Sequence, residues 1–189
     1  MNLDEDIKNC LRVLKEGGII LYPTDTVWGL GCDATNTKAI EHIFDIKARK
    51  ESKSLIVLVN SEAMLERYVR EIPVIAFEII RLTDKPVTII YPSCKNLAPG
   101  IASEDGSAGI RITADSFCSK LIDRFRKPIV STSANSSGHP SPSCFDEIAS
   151  GIIDSADYVV HHRREDRQKQ NPSPVIKVEI NGEIKIIRK

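Results

Sequence analysis

Leu55-Ile56-Val57-Leu58-Val59 is an unbroken apolar run of strand length, the pattern of a strand that must be covered on both faces. The flanking segments supply the cover. Leu3, Ile7, Cys10, Leu11 and Leu14 recur at helical spacing until Gly17-Gly18, predicting an amphipathic helix with a glycine C-cap. Ala39, Ile40, Ile43, Phe44 and Ile46 predict a second helix that opens near Thr37 and runs toward Lys47 and Arg49. Ser61 caps a short helix through Tyr68, and Pro73 suits the first position of another through about Leu82. Phe117, Leu121, Ile122 and Phe125 form one more helical stripe, and Cys144 to Ala149 reads as one helix. Between these lie strand-like runs: Ile19–Tyr22, Val87–Tyr91, Ala108–Ile112, Ile129–Ser131 and Tyr158–Val160. Val175–Ile180 and Glu183–Arg188 flank Asn181-Gly182, a strong hairpin signal. Strands alternate with helices, and some strands are adjacent. The expected fold is therefore α/β, with a twisted mixed sheet and a C-terminal β-hairpin. At 189 residues the chain is expected to form one domain spanning 1–189.

Charge narrows the function. The chain has 26 basic and 26 acidic residues, whereas non-specific nucleic-acid binding usually goes with a basic excess. Any polynucleotide contact would need a local patch. No run approaches the ~20 apolar residues of a membrane span. The start, Met1-Asn2-Leu3-Asp4-Glu5-Asp6, lacks the basic-then-apolar pattern of a signal peptide. Cys10, Cys32, Cys94, Cys118 and Cys144 are an odd set with no Cys-x-x-Cys, read as free thiols in a reducing cytoplasm. The same spacing disfavours a zinc site.

Three segments concentrate polar groups near strand ends. Thr24 and Thr26 follow Pro23 with hydroxyls suited to an ammonium, a carboxylate or a phosphate, or to local turn bonding. Lys47, Arg49 and Lys53 would converge on one anion if the chain leaves its helix near Lys50; otherwise they form a basic helix end favoured by the dipole. Ser131 and Ser133 alternate on an extended segment and so point the same way, with Asn135 and Ser136-Ser137-Gly138 completing a polar turn. Arg111 interrupts an apolar strand and must reach an edge, a partner or a ligand. Neither a P-loop nor a Gly-x-Gly-x-x-Gly motif occurs. The charged, proline-bearing stretch from His161 to Pro174 reads as a solvated loop, or as a lid or polynucleotide contact.

Tyr22-Pro23-Thr24-Asp25-Thr26-Val27-Trp28-Gly29-Leu30, Lys47-Ala48-Arg49, the Lys53-to-Leu58 strand, Gly109-Ile110-Arg111 and Ser131-Thr132-Ser133-Ala134-Asn135 occur in this order. That combination resembles the YrdC/Sua5 family in its short single-domain form, over about Leu11 to Arg188. The resemblance implies a twisted α/β sheet around a concave basic cavity. It implies an L-threonylcarbamoyladenylate synthase, a nucleotidyltransferase that joins L-threonine, bicarbonate and ATP and releases pyrophosphate. The product would feed the N6-threonylcarbamoyl modification of adenosine 37 in tRNA through a separate transferase complex. Mg2+ would ride mainly on the ATP phosphates, with no protein metal site.

By the same resemblance, Thr26, Ser131 and Ser173 would hold threonine. Arg49, Lys53, Ser107, Ser133, Ser141 and Arg188 would hold ATP, with Lys47, Arg49, Ser133 and Asn135 as the catalytic tetrad. Thr24 and Arg111 would face the cavity. The chain departs from the family's habits at Trp28, at Leu58 where some relatives carry a His, along Thr83–Thr88, at Thr113, and at Pro174-Val175 after Ser173. Two other functions compete: a double-stranded RNA or tRNA-binding module without catalysis, and a carbamoyl-adenylate enzyme fed by carbamoyl phosphate.

Overall fold

The computed structural model describes residues 2–47 and 55–189. Nine strands form one sheet: β1 (Ile20–Tyr22), β2 (Gly29–Gly31), β3 (Ile56–Val59), β4 (Thr88–Tyr91), β5 (Ala108–Ile112), β6 (Ile129–Ser133), β7 (Tyr158–Val159), β8 (Val175–Val178) and β9 (Ile184–Arg188). Their order across the sheet is β7-β1-β2-β6-β3-β5-β4-β8-β9. Three pairings are parallel (β1–β7, β3–β5 and β4–β8) and the others antiparallel, so the sheet is mixed as expected. The helices are α1 (Leu3–Lys15), α2 (Thr37–Ile46), α3 (Glu62–Leu65), α4 (Val74–Leu82), α5 (Ser116–Phe125) and α6 (Ser150–Asp154).

Local chemistry sets the helix ends. Asn2, Asn36, Ser61 and Asp115 each accept a backbone N–H as N-caps of α1, α2, α3 and α5. Gly17 follows α1 at φ +80°, a glycine conformation that ends the helix there. Two expectations change. Cys144 to Ala149 is not one helix: a short 3-10 turn over Phe145–Glu147 precedes α6 at Ser150–Asp154. Gly29–Gly31, read only as part of a motif, is strand β2.

Register places the polar groups. Directly paired residues share a face of the sheet, and side chains alternate along each strand. Gly29 pairs with Ser133, Ser131 with Ile56, and Ile56 with Gly109, two residues before Arg111. Thr88 pairs with Val175, which pairs with Arg188. Ser131, Ser133, Ile56, Arg111, Thr88 and Arg188 thus project from one face. On the other, Val57, Val59, Ile89, Ile110 and Val130 pack with Phe117, Leu121 and the rest of the buried core. Leu58 belongs to the polar face by register with Arg111, and is itself fully buried. The five cysteines carry no disulfide. Among the described residues no helix is long and apolar enough to cross a membrane.

Candidate functional site

The loop after β1 builds one wall of the site. Thr24 Oγ1 donates to the Val27 carbonyl at 2.8 Å and accepts the Thr26 N–H at 3.0 Å. The two threonine hydroxyls lie 3.1 Å apart. These bonds fold the loop back so that Thr26 and Val27 face a cavity of about 180 Å3. From the sheet come Ile56, Arg111 and Ser131 to Ser133; Ser141, Pro172, Ser173 and Arg188 complete the lining. Among the described residues no carboxylate lines it, while two arginines do.

Asp25 is the counter-charge beneath the cavity. Its Oδ1 lies 2.9 Å from Arg111 Nη2, and its Oδ2 accepts from Thr113 Oγ1 at 3.1 Å. Arg111 is 3% exposed, so this ion pair is largely dry. Arg111 Nη1 donates to Ser173 Oγ at 3.1 Å, and Ser173 Oγ is 2.8 Å from the Thr88 hydroxyl. The Ser173 carbonyl accepts from Arg188 Nε and Nη2, at 3.0 and 2.7 Å. Among the described residues the buried Arg111 Nε has no hydrogen-bond partner. Burial, and the neighbouring Arg111 guanidinium, pull Arg188 below the usual arginine value. Two cations in one cavity repel each other, and an anionic ligand would relieve that.

Lys47 caps α2, is 2% exposed, and sends its ammonium to the carbonyls of Ser133 and Asn135 at 2.5 and 2.6 Å. Two of its donors therefore shape the Ser-x-Asn turn. Ser133 Oγ and Asn135 Oδ1 are bonded to each other, and Asn135 Nδ2 donates to the carbonyls of Ser136 and His139. Asn135 lines a neighbouring cavity of about 400 Å3 with Ser136, His139 and Pro140, and Ser141 lines both cavities. Thr24 lines a third cavity with Thr26, Trp28, Arg163 and Gln168. Ser107 lines none of these; its hydroxyl donates to Asp105 Oδ1 at 2.6 Å and caps a turn. Arg49 and Lys53 lie outside the described residues.

Sequence reasoning named Thr113 only as a departure from the family's habits and gave Asp25 and Arg163 no role of their own. Asp25 had one signal, its place between two threonines of a polar loop. The charged 161–174 segment is exposed over residues 165–169 but anchored at several points. Arg164 donates to the Val159 and Val160 carbonyls and stands over the Phe145 ring, which packs on Trp28. Arg167 pairs with Asp146 at 2.9 Å, and the Gln170 N–H reaches the Ser143 carbonyl at 3.2 Å.

Known proteins carry the same design. The threonylcarbamoyl-AMP synthase of Psychromonas ingrahamii is 38% identical over 133 residues, covering 69% of this chain and 70% of that protein. The protein of that name from Pseudoalteromonas translucida is 32% identical over 163 residues, covering 85% and 87%. P. abyssi Sua5, solved in complex with L-threonine, superposes with a TM-score of 0.78 at 28% identity over 91% of this chain. The chain spans about half the length of that Sua5 chain, 50%. E. coli YciO superposes with a TM-score of 0.85 over the whole chain at 21% identity, a likeness of fold. Residues 12–189 match the Sua5/YciO/YrdC family model, described as "Telomere recombination". With a family match over nearly its whole length and synthase relatives above 30% identity, the chain belongs to the Sua5/YciO/YrdC family.

Proposed function

We propose that the chain is an L-threonylcarbamoyladenylate synthase, one domain over residues 1–189, making threonylcarbamoyl-AMP from L-threonine, bicarbonate and ATP. The observation that carries this reading is the cavity in which Thr26, Ser131, Ser133, Ser141, Ser173, Arg111 and Arg188 converge from distant parts of the chain with no carboxylate among them. Hydroxyls and two guanidiniums suit an amino acid's charged ends beside a polyphosphate.

The chemistry asks for positioning and charge neutralisation rather than a covalent nucleophile. The threonine amine attacks the carbon of bicarbonate, or of CO2 derived from it, giving a carbamate and losing water. A carbamate oxygen then attacks the α-phosphorus, and the bond to pyrophosphate breaks. Thr26, Ser131 and Ser173 hold threonine in this reading, with Arg111 at the cavity wall. Ser133, Ser141 and Arg188 hold ATP with Arg49, Lys53 and Ser107. Lys47 and Asn135 shape the turn on which Ser133 is presented, through the bonds described above. Mg2+ is assigned to the phosphates of ATP. The product would serve tRNA N6-threonylcarbamoyladenosine formation through a separate transferase complex. The unpaired thiols support a cytoplasmic location.

The test is pyrophosphate release from ATP and Mg2+ by pure protein. Release that requires both threonine and bicarbonate supports the synthase. Release equal to that of the threonine-free control overturns it, and tRNA binding or use of carbamoyl phosphate would then be measured.

A further inference from the structure

Arg163 stands outside the ligand cavity, yet its guanidinium holds the loop that walls it. Its backbone lies at φ +64°, in the left-handed region where a side chain carries a cost that glycine avoids. The side chain supplies a reason for a non-glycine residue there. Nη1 donates to the Thr24 carbonyl at 3.3 Å, and Nη2 meets Asp115 Oδ2 at 2.7 Å.

Asp115 connects that grip to the other half of the loop. Its N–H reaches Thr113 Oγ1 at 3.2 Å, and Thr113 Oγ1 donates to Asp25 Oδ2 at 3.1 Å. Arg163 therefore braces Thr24 directly and Asp25 through two intermediaries. The far end of the same segment closes on the same place, because Ser173 accepts from Arg111, the ion-pair partner of Asp25. The near end is fixed by buried Asp6, which accepts the N–H groups of His161 and His162 at 3.0 and 2.9 Å. Segment 161–174 is thus a strap held at its near end by Asp6 and at its far end by Arg111, with Arg163 bonding the Thr24 carbonyl between them.

We propose that Arg163 is a positioning residue: it acts through the Thr24 carbonyl and Asp115 to hold the Thr26 hydroxyl at the cavity, and it touches no substrate. The link to threonine rests on the synthase reading above; the link to the loop does not.

Arg163→Gly removes the side chain without adding backbone strain, because glycine accepts φ +64° freely, and Arg163→Gln keeps most of the stem while losing the guanidinium. In substrate-free protein, amide exchange of residues 24–27 should quicken on the order of tenfold, with the remaining core amides unchanged. The threonine KM should rise on the order of tenfold, the ATP KM should stay within about twofold, and Arg163→Lys should recover part of the loss. Loop exchange equal to wild type overturns the proposal. So does a uniform rise of exchange across the molecule, or an equal rise in both KM values. Should Arg163→Gly not fold, Arg163→Lys and Arg163→Gln decide by the same exchange measurement, with slower-than-Gln loop exchange in the Lys variant expected. If wild-type protein releases no threonine-dependent pyrophosphate, the synthase reading fails, while loop exchange still decides whether Arg163 braces the loop.

Discussion

Asp25 and Arg111 meet at 2.9 Å under the ligand cavity, both nearly dry, and come from segments 86 positions apart on opposite sides of the sheet's order (β1's loop and β5). A buried pair gains little over an apolar pair, but removing one partner strands the other charge. Asp25→Ala is therefore expected to cost about 3–5 kcal/mol in urea unfolding. Adding Arg111→Met to it should recover part of that loss, giving a non-additive cycle. An Asp25→Ala protein within about 0.5 kcal/mol of wild type would contradict a buried counter-ion role.

Gly29 is needed for space rather than for its backbone freedom. A Cβ there would lie 3.1 Å from Ser131 Oγ and 3.3 Å from the Thr132 carbonyl, on the face that carries the site. Ser131 would have to move into the cavity. Gly29→Ala should cost about 1–3 kcal/mol as an overpacked site and raise the threonine KM more than the ATP KM. Wild-type kinetics in a folded Gly29→Ala protein would show that the sheet yields without disturbing Ser131.

Much of this arrangement was legible in the chain. The period-2 rule aligned Ser131 with Ser133, and Asn181-Gly182 marked the β8–β9 turn. Arg111 in an apolar strand demanded a partner. That the partner is Asp25 was not legible, because β2, β6 and β3 lie between β1 and β5 in the sheet and no local pattern tells that the loop after β1 reaches Arg111. Strand β2 escaped notice because two of its three residues are glycines, which weaken a strand signal and here mark close approach; a Cβ at Gly31 would lie 2.5 Å from the Tyr22 ring. Cys144 to Ala149 looked helical by composition, but Ile148 and Ala149 are extended before α6 begins. Residues 165–169 of the charged 161–174 stretch are exposed, but its anchors were not legible, because the carbonyl and carboxylate partners of Arg163 and Arg167 lie far away in sequence.

Lys47 makes a different prediction from a cation that merely attracts phosphate. Its ammonium fixes the carbonyls of Ser133 and Asn135, so Lys47→Met should loosen the turn even without ATP. Pyrophosphate release should fall on the order of a hundredfold, as expected when reacting groups shift by about 1 Å. Amide exchange across residues 131–137 should quicken in the substrate-free variant. If activity falls while exchange stays as in wild type, Lys47 acts on the ligand alone.

His162 makes the strap sensitive to acid. Its ring stacks against Phe117, centroids 5.9 Å apart, and its pKa is held below the ordinary 6.5 by burial and by the adjacent Arg163, against the opposing pull of Asp115 and Asp6. A histidine with a depressed pKa is neutral in the fold at pH values where the unfolded chain has taken up a proton. Its contribution is therefore complete above about pH 6.5 and declines as pH falls toward the folded value. Asp6 extends the trend to stronger acid. Burial alone would raise its pKa, but bonds from Tyr158, His161 and His162 outweigh burial and hold it below the ordinary 3.8, so its contribution is lost only as pH falls through that lower value. The thermal midpoint should decline from about pH 7 to about pH 5.5, and His162→Phe, which keeps an aromatic ring against Phe117 but cannot protonate, should decline less. Parallel curves for the two proteins would show that His162 does not carry this acid limb.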